Sequence, residues 1–180
     1  INERRGDILE LRYGRGVHMK NTHRIKVRAL IVKDESVLLV RHEHHGRPPF
    51  WCFPGGFVES GEDLFNAIKR EIREETEVVV SPRSVIALLE FKSENLLEVI
   101  FSCDYVSGKL KLGSDPDNPG IPTLVDAKWA RIDELDRFKL LPVQLASLLK
   151  DGWDNLSSVE LLQIKSKREV PTKDHVPGSL

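Results

Sequence analysis

The sequence predicts an α+β domain, a mixed β-sheet with helices packed on it. Three observations carry this reading. Several runs rich in β-branched and aromatic residues are bounded by turn chemistry, as strands are. One stretch, about Glu62 to Thr76, repeats its apolar residues at helical spacing. Strands and helices then follow one another without a strict βαβ rhythm, which favours a mixed sheet over a doubly wound parallel fold. With 180 residues, 40% of them hydrophobic and 31% charged, the chain is long enough for one domain with a proper core.

The elements follow in order. "IKVRALIVKDESVLLVRHE" reads as two β-branched runs joined by the polar turn Lys33 to Ser36, a hairpin or two neighbouring strands. "HHGRPP" reads as a loop, and "FWCFPGG" brings aromatics up to a Pro-Gly-Gly turn. The helix follows, with Ser60 or Gly61 as the expected cap. "SVIALLEF" and "LLEVIFSCDYV" are further strands, and "GSDPDNPGIP" is a loop by its Gly and Pro content. "DAKWARIDEL" reads as a strand running into a short helix, with Trp129 in the core. "PVQLASLLKDGW" is a helix opened by Pro142. The tail "KSKREVPTKDHVPGSL" has few large apolar residues and is expected to be loosely held. The domain is placed at residues 25–153, with extensions at 1–24 and 154–180.

Charge and cysteine content narrow the function classes. The formal net charge of −1 offers no global basic field for nucleic acid. Cys52 and Cys103 make neither a disulfide framework nor a metal-ligand spacing. No apolar run approaches the roughly 18 residues of a membrane span. The charged N-terminal run lacks the apolar stretch of a signal peptide. A cytoplasmic protein with no membrane partner is the expectation.

The helix carries the sharpest signal. At about 100° per residue, Leu64, Phe65, Ile68 and Ile72 fall in one apolar arc. Glu71, Glu74 and Glu75 line one edge of it, while Arg70 and Arg73 are expected to point away. Glu71 and Glu75 are a like-charge i,i+4 pair, which is unfavourable even in water and more so at the margin of a core. Either the helix tolerates its charges or a cation sits over them. Carboxylates without His or Cys supply hard oxygen ligands, which suit Mg²⁺ or Mn²⁺. The preceding Pro54-Gly55-Gly56 turn permits close approach of backbone to a ligand. "HEHH", residues 42–45, has no second cluster at ligand spacing and reads as an exposed loop that, like Arg41, could line a substrate mouth. Phe50, Trp51 and Phe53 could stack a base, with core packing as the default.

Residues 56–78 resemble the Nudix box, whose pattern is Gly, five residues, Glu, seven residues, then Arg-Glu-aliphatic-any-Glu-Glu-any-Gly-aliphatic. Gly56, Glu62, Arg70, Glu71, Ile72, Glu74, Glu75 and Val78 match at the required spacing, and Glu77 stands where the family has Gly. "FPGG", "VLLV" and "KWARIDEL" extend the likeness to roughly residues 25–150. The resemblance implies an α/β/α sandwich around a mixed sheet and hydrolysis of a nucleoside diphosphate linked to another group. It implies that the Gly56 carbonyl with Glu71, Glu74 and Glu75 hold Mg²⁺ or Mn²⁺, and that Glu62 and Arg70 brace the loop and helix. A general base from the box, with Glu71 favoured, competes with a downstream acid: Asp126, or less favourably Asp115 or Asp117. The expected partner is a small nucleotide substrate, with ADP-ribose or a similar nucleoside diphosphate sugar slightly preferred over a modified nucleotide, and homodimers are common in the family. The competing reading is a Nudix-fold sensor that binds a nucleotide without cleaving it, a module that usually loses the box glutamates retained here.

Overall fold

A computed structural model describes residues 23–113, 123–150 and 160–164. The strands are β1 (Arg24–Lys33), β2 (Ser36–His44), β3 (Arg47–Cys52), β4 (Val79–Phe91), β5 (Leu96–Ser107), β6 (Leu124–Arg131) and β7 (Glu160–Ile164). The helices are α1 (Leu64–Thr76) and α2 (Gln144–Lys150), with 3₁₀ turns at Lys92–Glu94 and Ile132–Arg137. The seven strands form one mixed sheet in the order β3-β2-β1-β5-β4-β7, with β6 on the other side of β2. β1 runs parallel to β5 and β4 parallel to β7, while the other pairs are antiparallel. This is the expected mixed sheet.

Each face of the sheet has its own core. Val27, Ala29, Ile31, Leu38, Val99 and Phe101 pack under Ala67, Ile68 and Ile72 of α1. On the opposite face Leu30, Val37, Leu39, Trp51, Phe53 and Ile100 pack with Leu145 and Leu149 of α2. The strand period of two separates Ala29 and Ile31 from Leu30, and so decides which helix each residue meets. Helix, sheet and helix form three layers, the α/β/α sandwich that the resemblance implied.

The β1–β2 hairpin turns at Asp34 and Glu35, which have φ of 47° and 56°. Two consecutive left-handed residues make the tight turn that matches strand twist. Several expectations are corrected. "HHGRPP" is no loop: His44 ends β2, and Arg47, Pro48 and Pro49 begin β3. Successive N–H groups on a strand point to opposite sides, so the edge position of β3 spares one prolyl nitrogen a ladder bond, and the other falls opposite the register shift between His42 and His44. Helix α1 starts at Leu64 and is capped by Asp63, whose carboxylate accepts from the Asn66 N–H at 2.8 Å. Neither Ser60 nor Gly61 is the cap. Phe65 touches Phe101, ring centroids 5.5 Å apart, yet keeps 49% of its surface exposed. A helical wheel gives direction only, and the first turn of α1 is incompletely covered. Trp129 is half-buried against Tyr105 rather than enclosed.

β7 lies in the segment read as a C-terminal extension and pairs with β4. The expectations for residues 1–22, for the tail from residue 165, and for Asp115 and Asp117 fall outside the described residues. Among the described residues no helix is long and apolar enough to cross a membrane.

Candidate active site

The site is built where the Pro-Gly-Gly turn passes between β1 and α1. The turn runs beside β1, with Ala29 N–H donating to the Pro54 carbonyl at 3.0 Å and Val27 N–H to the Gly56 carbonyl at 2.9 Å. Gly55 has φ of 138°, and a Cβ there would lie 2.1 Å from the Val27 carbonyl oxygen, so only glycine fits. At Gly56 a Cβ would come 2.3 Å from Glu71 Oε2. The Glu71 carboxylate therefore lies flush against the bare backbone of Gly56.

Helix α1 brings the glutamates to this turn. Glu71 and Glu75 are each only 3% exposed, and Glu74 is half-buried. Glu75 Oε2 accepts the Gly55 N–H at 2.8 Å. Burial pushes the Glu75 carboxyl up to about 8; the Gly55 N–H and the Arg28 charge pull it back, and neighbouring Glu71 raises it further. A carboxylate here is costly unless a cation compensates it.

Arg70 does not point away, as the wheel suggested. Its Nη1 donates to Glu71 Oε1 at 2.9 Å and to Glu74 Oε2 at 3.1 Å. Its Nε and Nη2 grip both oxygens of Glu62, at 3.0 and 2.9 Å, and Nη2 also donates to the Phe57 carbonyl at 3.0 Å. The wheel reports the direction of Cβ, whereas a guanidinium on a long stem reaches back over the loop. Arg73 is exposed as expected. The Arg70 hydrogen bonds hold the Glu62 carboxyl below the usual carboxylate range. Loop 57–62 and helix α1 are thus locked together by one side chain.

The oxygen donors suit a hard divalent cation in kind. The flush Gly56–Glu71 contact and the only partly compensated burial of Glu75 are what such a cation would use. They are not drawn together as a finished ligand set: among the described residues no group of three His, Cys, Asp or Glu stands ready to hold a metal. Arg70 holds Glu71 and Glu74, while the Gly55 amide holds Glu75.

The downstream acid stands elsewhere. Asp126 lies on β6 opposite Arg41, with Oδ2 3.7 Å from Lys128 Nζ. Lys128 Nζ sits 4.6 Å over the Trp51 ring, and Trp51 belongs to the α2-side core. Two residues away on the same strand, Asp126 shares that face, across the sheet from α1.

Sequence reasoning missed a buried charge group beside the turn. Arg28 Nε pairs with Glu98 Oε2 at 2.9 Å, and Arg28 Nη1 donates to the Phe53 carbonyl at 2.7 Å and to Cys52 Sγ at 3.3 Å. Burial works against the Arg28 charge, but the Glu98 carboxylate beside it outweighs that and the guanidinium is firmly ionised. Burial also pushes the Cys52 thiol up. The available signal was a charged residue interrupting each apolar run, "VRALIV" and "LLEVIF". The histidines were misplaced too. His42 and His44 sit in β2 and stack with Phe50, with centroids 5.7 to 6.1 Å apart.

Comparison with known proteins agrees with this geometry. A family model described as NUDIX domain matches residues 22–151. An ADP-ribose pyrophosphatase of Methanocaldococcus jannaschii is 28% identical over 137 residues, covering 73% of this chain and 75% of that protein. The NAD-capped RNA hydrolase NudC of Photorhabdus laumondii is 32% identical over 105 residues, 58% of this chain but only 38% of that longer protein. Among solved structures, a NUDIX hydrolase from Nitrosomonas europaea superposes with TM-score 0.60 at 26% identity, covering 75% of this chain and 91% of that one. An ADP-ribose pyrophosphatase from Streptococcus suis superposes with TM-score 0.61 at 19% identity, covering 78% and 99% respectively, a likeness of fold.

Proposed function

This chain belongs to the Nudix family of pyrophosphohydrolases, and from that premise we propose that it hydrolyses the pyrophosphate link of a nucleoside diphosphate derivative with a divalent cation. The observation that carries the proposal is the pair of buried carboxylates, Glu71 and Glu75, set against a glycine turn. Glu71, Glu74, Glu75 and the Gly56 carbonyl would hold Mg²⁺ or Mn²⁺. When bound, such an ion neutralises phosphate charge and lowers the pKa of a water. We assign Glu71 as the base that takes the proton from the attacking water as it approaches phosphorus, a reading supported by its place beside the glycine turn. Arg70 and Glu62 keep the loop and helix in register while this happens. The position of Asp126 on the opposite face supports Glu71 over Asp126 as base.

ADP-ribose is the preferred substrate, supported by the Methanocaldococcus relative, whose length this chain largely spans. A capped nucleotide is the second reading, supported by NudC over a little more than a third of that protein. A non-cleaving sensor is disfavoured because the box glutamates are all present.

The test is a panel of nucleoside diphosphate derivatives with Mg²⁺ or Mn²⁺ in ¹⁸O-water, products read by mass spectrometry. One ¹⁸O should appear in a phosphate product, activity should vanish in chelator, and Glu75→Gln should cut turnover by orders of magnitude. Hydrolysis that persists in chelator, or a fully active Glu75→Gln enzyme, overturns the proposal.

A further inference from the structure

Gly55 and Gly56 are adjacent, and glycine has more backbone freedom to lose on folding than any other residue. The site nevertheless needs this backbone fixed. The Gly55 N–H must meet Glu75, and Gly56 must lie flush on Glu71. What holds the turn has to come from outside it.

Strand β1 holds it along one edge. β1 pairs with β2 at Val32 and Lys33, beside the hairpin turn. Further back, the same edge takes the glycine turn instead of a strand. Ala29 and Val27 N–H groups donate to the Pro54 and Gly56 carbonyls, and Val58 N–H donates back to the Ile25 carbonyl at 3.0 Å. The turn thus continues the sheet, with the glutamates of α1 on one side of it. Arg28 lies between Val27 and Ala29 and projects to the other side, by the strand period. From there its Nη1 donates to the Phe53 carbonyl at 2.7 Å. The Gly55 N–H bond to Glu75 Oε2 follows two residues later. Only Pro54, whose φ is fixed by its ring, stands between the two bonds.

The guanidinium is itself braced. Its Nε pairs with Glu98 of β5 at 2.9 Å, and Nη1 also meets Cys52 Sγ, at the end of β3, at 3.3 Å. One planar fork therefore joins β5, β3 and the entry to the turn. Arg28 and Glu98 are 6% and 0% exposed, so neither is placed to touch a substrate. Nor is stability a sufficient reason for them, because apolar side chains of similar volume often serve a core as well as a buried ion pair does. What such a pair can fix is one geometry, and the geometry it fixes here is that of the Phe53 carbonyl.

We propose that Arg28 is a positioning residue of the active site: braced by Glu98, it holds the Phe53 carbonyl and so sets the Gly55–Gly56 backbone against which Glu75 and Glu71 take up the cation. This rests on the pyrophosphohydrolase reading and extends it to a side chain that touches neither metal nor substrate. Groups that orient metal ligands from behind change metal affinity by roughly 10- to 100-fold when removed.

The test uses the full chain and two variants. Arg28→Met with Glu98→Leu removes the fork and its counter-charge together, so no buried charge is stranded. Arg28→Lys keeps the charge beside Glu98 but offers one nitrogen in place of the fork. Mn²⁺ binding is read without substrate from the electron paramagnetic resonance signal of the free ion, and Gly55 amide exchange is read by NMR in chelator. In both variants Mn²⁺ affinity should fall about tenfold or more. The Gly55 N–H should exchange at least about tenfold faster, the scale of one hydrogen bond from a charged donor, while the amides between β1 and β5 keep their wild-type rates. Those β1–β5 amides also report that the variant is folded, and Arg28→Lys decides the matter if the double variant is not. In a folded variant, Mn²⁺ affinity within about twofold of wild type overturns the proposal. Weakened Mn²⁺ binding with Gly55 exchange unchanged overturns it as well, since the effect then does not pass through the turn. A wild-type chain that binds no Mn²⁺ refutes the metal site of the pyrophosphohydrolase reading, whereas wild-type binding that the variants retain refutes the positioning role alone.

Discussion

Replacing Glu75 with Gln should stabilise the metal-free protein at pH 8 and leave it nearly unchanged at pH 5. The carboxyl is 3% exposed, and burial raises its pKa from about 4.5 to about 8 in the folded state. A raised carboxyl pKa contributes stability that is fully present below about pH 4.5 and is lost as pH rises through about 8. Each pH unit in that window is worth about 1.4 kcal/mol. Between pH 5 and pH 8 the wild-type chain should therefore lose about 3 to 4 kcal/mol through this one group. Gln keeps an oxygen for the Gly55 N–H and carries no charge, so it should not show this loss. Urea denaturation of both proteins in chelator, at pH 5 and pH 8, reads the difference as a shift in midpoint at constant slope. Saturating Mg²⁺ at pH 8 should reverse the order, because a cation stabilises only the ionised form. Equal midpoint differences at the two pH values, or a less stable Glu75→Gln at pH 8 in chelator, would refute the burial argument and with it the reason for expecting a cation there.

Other predictions are simpler. Glu98→Ala leaves Arg28 buried with only the Phe53 carbonyl and the Cys52 sulfur, and should cost about 3–5 kcal/mol in urea melts. The double variant Arg28→Met with Glu98→Leu should recover much of that, and a double variant as unstable as the single would show that packing rather than stranded charge is lost. Glu77 adopts φ of 57° at the end of α1, so Glu77→Gly should relieve about 1 kcal/mol of strain. It also removes the exposed 2.6 Å contact with Lys111. A higher Tm with unchanged turnover is expected, and a lower Tm would mean the Lys111 contact outweighs the strain. Glu71→Gln should lower kcat by about 10² or more at saturating metal, and Asp126→Asn by less than about threefold. Abolished turnover in Asp126→Asn with an active Glu71→Gln would move the base to β6.

The amino-acid sequence alone determined what depends on short range. Helical period set Glu71 and Glu75 on the rim of the apolar face of α1, and both are buried there. The glycines of the turn were legible because a backbone that must pass close to its neighbours leaves no room for Cβ, as at Gly55 and Gly56. The hairpin and the long strands follow from the same local rules, whereas the left-handed end at Glu77, disfavoured for a residue with a side chain, was left open by them. Contacts between distant segments, and the reach of long side chains, were not legible. Arg28 and Glu98 meet across 70 residues of sequence because β1 and β5 are parallel neighbours, a pairing no local pattern encodes. Arg70 folds back onto Glu62 and the carboxylates because loop 57–62 lies within its length. The two prolines enter β3 because that strand is at an edge and its register with β2 shifts opposite them, and His42, His44 and Phe50 become one surface only when β2 and β3 pair. Tertiary structure decided these points, because register and edge position belong to the assembled sheet, and a side chain's partner depends on which element the fold brings within its reach.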